Sequence, residues 1–83
     1  MQVTITTLGV FRTLGPEFVL DIADGATVFD VRQALESRIA ADAPSLLDTL
    51  ARSAFAADDF VLRDDDLIDG ASVLALLPPV AGG

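Results

Sequence analysis

Apolar and polar positions alternate over residues 2–8. Val3 and Ile5 fall on one side, and β-branched residues are frequent, which predicts a strand. Gly15-Pro16 marks a turn, and alternation resumes over residues 17–22 through Phe18, Leu20 and Ile22. Two strands at this spacing predict an antiparallel hairpin, closed by Asp24-Gly25. The period then changes. Val28, Val31, Leu35 and Ile39 follow at steps of three, four and four, so they line one helical face, and Arg32, Glu36 and Asp42 point elsewhere. Thr27 is suited to cap this helix, and Asp30, three residues on, comes close to the capping-box pattern and is well placed for the helix dipole. A helix is predicted over about 27–41.

Ala43-Pro44-Ser45 breaks the pattern, and Leu46, Leu47, Leu50 and Ala54 predict a second, shorter helix. Residues 59–62 read as a short strand, Asp64-Asp65-Asp66 as a solvated turn, and Asp69-Gly70 as a further turn. Residues 72–77 are almost wholly apolar. That predicts a strand buried on both faces and central in its sheet. The order β-β-α-(α)-β-β describes a two-layer α+β domain of the ubiquitin-like β-grasp type, a mixed sheet with one main helix and a short second one. The first and last strands are expected parallel in the middle. Residues 1–77 form the domain and residues 78–83 a flexible C-terminal tail.

Composition narrows the chemistry. The chain of 83 residues carries 13 acidic against 5 basic side chains, a formal net charge of −8. The basic residues are all Arg, and Lys, His, Cys, Trp and Tyr are absent. A thiol nucleophile, an imidazole base, a lysine Schiff base and a soft metal site are therefore excluded. Disulfides are impossible, so the core must hold itself together. The apolar fraction of 52% argues against disorder in spite of the charge. The acidic balance disfavours nucleic acid and anionic membrane, and favours a partner with a basic docking face. No signal-like or membrane-spanning stretch is present, so the cytoplasm is the expected compartment. The acidic residues Asp58, Asp59, Asp64, Asp65, Asp66 and Asp69 do not fit an EF-hand spacing and read as solvated surface; no metal site is expected. The glycines are scattered, with no phosphate-binding loop.

Pro78-Pro79-Val80-Ala81-Gly82-Gly83 closes the sequence. The prolines end the last strand and stiffen the exit. Six extended residues reach roughly 20 Å, and the last two carry no side chain. A stiff root with a bare tip suits a tail that threads a narrow tunnel and presents the Gly83 carboxylate to chemistry in a partner.

These residues carry a resemblance. Leu76-Leu77-Pro78-Pro79-Val80-Ala81-Gly82-Gly83 resembles the terminus of the MoaD-like sulfur carriers, the small subunits of molybdopterin synthase. Arg12-Thr13-Leu14-Gly15 is similar to that family's Arg-x-x-x-Gly region at one residue shorter spacing, and Leu67-Ile68-Asp69-Gly70 to its Leu-x-Asp-Gly turn. Two departures stand out. Ala56-Ala57-Asp58 occupies the place of an Asn-containing turn, and one extra residue lies between Asp69-Gly70 and Pro78-Pro79. The resemblance implies that the Gly83 carboxylate is adenylated by a MoeB-like activating enzyme that uses ATP. It is then converted to a thiocarboxylate and gives its sulfur to cyclic pyranopterin monophosphate in a MoaE-like large subunit. No cofactor is expected on the chain itself. Leu8, Phe60 and Leu77 are implied as a hydrophobic patch that docks both partners; the plainer reading makes them ordinary core residues.

Other functions fit the same pattern. A carrier for thiazole or cysteine synthesis is one, although thiazole carriers usually lack Pro-Pro-Val before the glycines. A ubiquitin-like protein modifier is another, and without lysine it makes no lysine-linked chains with itself. An inert interaction domain is the last.

Overall fold

The computed structural model describes residues 1–68 and 73–79. Strand β1 (Gln2–Thr7) and strand β2 (Glu17–Asp21) form the expected hairpin, antiparallel with Val3 opposite Leu20 and Ile5 opposite Phe18. A 3-10 helix, Gly9–Leu14, fills the connection between them, where a loop is expected, and it buries Phe11 in the core. Helix α1 spans Val28–Asp42. Its capping box is formed: the Asp30 amide donates to Thr27 Oγ1 at 3.4 Å, and the Thr27 amide donates to Asp30 Oδ2 at 2.9 Å. A 3-10 turn (Pro44–Leu46) leads into α2 (Leu47–Ala51), then β3 (Ala54–Ala57), β4 (Phe60–Leu62) and β5 (Val73–Leu77).

The sheet order is β2-β1-β5-β3-β4. Strand β5 lies in the centre, parallel to β1 and antiparallel to β3. Helix α1 crosses one face. Val28, Val31, Leu35 and Ile39 are buried there with Val3, Ile5, Phe18, Leu20, Phe55, Leu74 and Leu76 in one cluster. Fully burying a side chain of this size contributes about 1.5–3 kcal/mol, so this seam carries most of the stability.

Two expectations are corrected. Ala54 does not belong to the second helix. The helix ends at Ala51, and Ala54 opens β3, a strand the sequence did not predict. The three alanines around Phe55 carry little β-propensity; the ladders to β4 and β5 decide the conformation. Second, β5 is central but not buried on both faces. Leu74 and Leu76 are fully buried, whereas Val73 is exposed and Ala75 and Leu77 are half-buried. Its apolar run therefore serves one core face and one open face. The Asp69-Gly70 turn, Ser72, and the tail residues Val80, Ala81, Gly82 and Gly83 lie outside the described residues.

Candidate functional site: the outer sheet face and the root of the tail

Strand alternation decides what the uncovered face of the sheet presents. Thr4, Thr6, Val73, Ala75, Leu77, Ala54 and Ala56 all have the parity opposite to the buried residues of their strands. The pairing arranges them in rows. One row runs Glu17, Thr6, Ala75, Ala56, Val61; a second sets Leu77 against Ala54; a third runs Val19, Thr4, Val73. On the β5-β3-β4 half no member of these rows is charged, and the small Ala54, Ala56 and Ala75 make a shallow floor between Val61, Val73 and Leu77. Glu17 and Asp21 place charge at the β2 edge.

Leu8 continues this face. Its backbone is extended (φ −134°, ψ 156°), so alternation carries past buried Thr7 and turns the Leu8 side chain outward. It stands one step on from the Thr7–Leu76 pair, beside Leu77. Phe60 does not share the face. It pairs with Ala57, which has the parity of buried Phe55, and so it stands at the β3–β4 hairpin on the helix side, 72% exposed. Val61, 66% exposed, is the β4 residue on the outer face. Sequence reasoning missed Val61 and Val73. The signal was present: both are apolar, but Val73 belongs to a run that reads as core, and Val61 to a short strand whose faces the sequence does not distinguish. The hairpin itself turns on Asp58, whose φ of +54° is a left-handed conformation that Asp and Asn tolerate. Asp58 thus meets in this turn the demand that an Asn residue would meet.

The tail leaves at the same corner. Pro78 and Pro79 follow β5 and are half-buried. Gly9, directly after Leu8, has φ +57°, and a Cβ placed on it would lie 2.9 Å from Pro78 Cγ. The proline ring therefore sits on the bare Cα of Gly9. No sequence signal tied these two residues together.

The remaining polar groups have structural work. Arg32, expected to point away from the core, lies 14% exposed along its side chain and binds four oxygens. Its Nη1 donates to the carbonyls of Leu50 and Ser53, both at 2.8 Å. Its Nε and Nη2 reach the two Asp64 oxygens at 3.2 and 2.8 Å. The guanidinium also lies over the Phe55 ring, 5.1 Å from its centroid. Asp66 accepts from the Arg63 amide at 2.7 Å, so the Asp64–Asp66 stretch is an organised turn. Among the described residues no group of three His, Cys, Asp or Glu side chains converges to hold a metal, and no helix is long and apolar enough to cross a membrane. What the molecule offers is an apolar face and the root of a tail.

A five-stranded mixed sheet, with α1 laid across one face and the last strand in its centre, is the ubiquitin-like β-grasp fold. The chain belongs to the ThiS family, whose model matches residues 6–83. Among solved structures, the crystal structure of SAMP1 from Haloferax volcanii is similar in fold, with a TM-score of 0.68 over 100% of both chains at 23% identity. No curated protein sequence matches the chain significantly.

Proposed function

We propose that the protein is a sulfur carrier, the small subunit of a molybdopterin synthase, and that its Gly83 carboxylate is the reacting group. The observation that carries this reading is the uncharged apolar half-sheet that runs from Val61 to Leu8 and Leu77, where the tail begins. Such a face is a docking surface when it stands beside a reactive element. The family match extending through residue 83 supports the same view.

The chemistry follows from what the chain lacks. A carboxylate is a poor electrophile. A Gly83 oxygen attacks the α-phosphorus of ATP, pyrophosphate leaves, and an acyl-adenylate forms. Sulfide-level sulfur from a donor then displaces AMP and leaves the thiocarboxylate. Beyond the Gly83 carboxylate, which is the nucleophile of the first step, the chain has no His, Cys or Lys to assist, so the remaining catalytic groups come from the MoeB-like activating enzyme. The same face then meets the MoaE-like large subunit, where the sulfur passes to cyclic pyranopterin monophosphate. The two partners use one surface, so they bind in turn.

The test is pyrophosphate exchange with the activating enzyme, followed by intact mass of the carrier. The expected result is ATP-dependent exchange and a mass gain equal to one oxygen-for-sulfur replacement, both lost when Gly83 is deleted. Exchange that persists in the deletion overturns the assignment. Exchange without a thiocarboxylate, accompanied by Gly83 joined to lysines of other proteins, turns the reading toward a protein modifier.

A further inference from the structure

We propose that Gly9 is a positioning residue for the tail, acting through Pro78. The proposal depends on the carrier reading for its consequence, but the seat itself is a property of this chain. Gly9, Gly15 and Gly25 all have positive φ, yet only at Gly9 does a neighbour stand within 4 Å of the missing Cβ. Two demands meet there. The first is a left-handed backbone, which Asn also tolerates. The second is empty space on the Cα, which only glycine provides.

The occupant of that space matters. Pro78 Cγ would be 2.9 Å from a Gly9 Cβ, with Pro78 Cβ and Cδ both at 3.9 Å. Carbon atoms at rest lie about 3.5–4.0 Å apart, so the ring has to retreat by roughly 0.6 Å or more. A proline ring is closed onto its own backbone nitrogen and cannot swing aside as a flexible side chain does. The backbone of Pro78 moves with it. Just before Pro78, Leu77 is held in the ladder with Ala54, so the displacement passes forward. Pro79 has a fixed φ, which leaves only its ψ to absorb it. Each later residue adds about 3.3 Å of reach, so a tilt at Pro78 grows toward Gly83. An enzyme that must set the Gly83 carboxylate in line with the α-phosphate is sensitive to such an error, since misplacement by about 1 Å can cost on the order of 100-fold in rate.

The inference is tested with the full chain and two independent readouts. The first is pyrophosphate exchange by Gly9→Ala and Gly9→Asn, with Gly25→Asn as the control for backbone strain without a clash. Gly9→Ala and Gly9→Asn are expected to lower kcat for exchange about tenfold, while calorimetric affinity for the activating enzyme stays near wild type. Gly25→Asn is expected to change neither. Pro78→Ala is expected to lower kcat as well, and the Gly9→Ala/Pro78→Ala pair to be no worse than either alone. The second readout needs no partner. The chain has no cysteine, so Ala81→Cys takes a single spin label, and relaxation of backbone amides maps where the label goes. In the otherwise wild-type chain the broadened amides are expected to occupy one sector of the surface, and Gly9→Ala or Pro78→Ala to shift or spread that sector. An even spread without those changes, or an unaltered sector in both variants, overturns the proposal. Absence of exchange in wild type defeats the carrier reading, and the label still decides the seat. Should the Gly9 variants fail to fold, Pro78→Ala provides both readouts.

Discussion

Replacing Arg32 by Met keeps the aliphatic stem and removes every polar contact of the guanidinium. The Ser53 carbonyl then loses its 2.8 Å donor. The Leu50 carbonyl loses one donor but keeps the Ser53 amide at 3.1 Å. A hydrogen bond to a charged group contributes about 1.5–3 kcal/mol, more when the stranded acceptor is buried. The Asp64 carboxylate is half exposed, so its ion pair adds about 1 kcal/mol or less. The contact with Phe55 adds about 1 kcal/mol, part of which Met recovers. The expected loss for Arg32→Met is about 3 kcal/mol, large against the roughly 4–12 kcal/mol typical of a domain this size. Urea unfolding followed by circular dichroism measures it, and the melting temperature should fall by about 12–24 °C. Arg32→Lys retains charge but not the planar fork, and should lose about 2 kcal/mol. Asp64→Asn should lose about 1 kcal/mol. If Arg32→Met costs less than about 1 kcal/mol, or if Asp64→Asn costs as much as it does, the carbonyl contacts are not what holds α1 to the start of β3.

Leu77→Asp and Val61→Asp should each weaken calorimetric binding to the large subunit by about 2 kcal/mol and leave the fold intact, because both side chains stand on the uncovered face. Phe60→Asp should have a smaller effect, since Phe60 stands on the other side of the sheet; an equal loss shows that the partner wraps the hairpin. Thr27→Ala should lower stability in urea by about 1 kcal/mol through the lost helix cap, and Thr27→Ser should restore most of it.

What was legible in the sequence were features that act locally. The steps from Val28 to Ile39 and the Thr27–Asp30 pair placed α1 within a residue of its bounds, and the Val3/Ile5 and Phe18/Leu20 alternation placed the first hairpin. Misreadings came where local pattern and tertiary placement diverge. An apolar run such as Val73–Leu77 looks the same whether both faces are covered or one is left for a partner. Ala54–Ala57 has the composition of a helix and is held as a strand by its neighbours on both sides. Arg32 has the helical position of a surface residue, yet α2 and β3 approach from outside the helix and enclose it. The seat of Pro78 on Gly9 joins opposite ends of the chain, and no periodicity reports such a pair.

The placement of β5 has a mechanical consequence. Its two ladders, to β1 and to β3, carry hydrogen bonds that lie across the strand direction. Traction on residues beyond Leu77 runs along the strand and loads both ladders in shear, so many bonds resist together. The same traction on an edge strand such as β4, peeled sideways, would meet them one at a time. A partner that draws the tail into a tunnel, or a motor that pulls on whatever the tail is joined to, thus holds the domain by its most resistant strand. The fold then serves as a rigid handle behind its last strand.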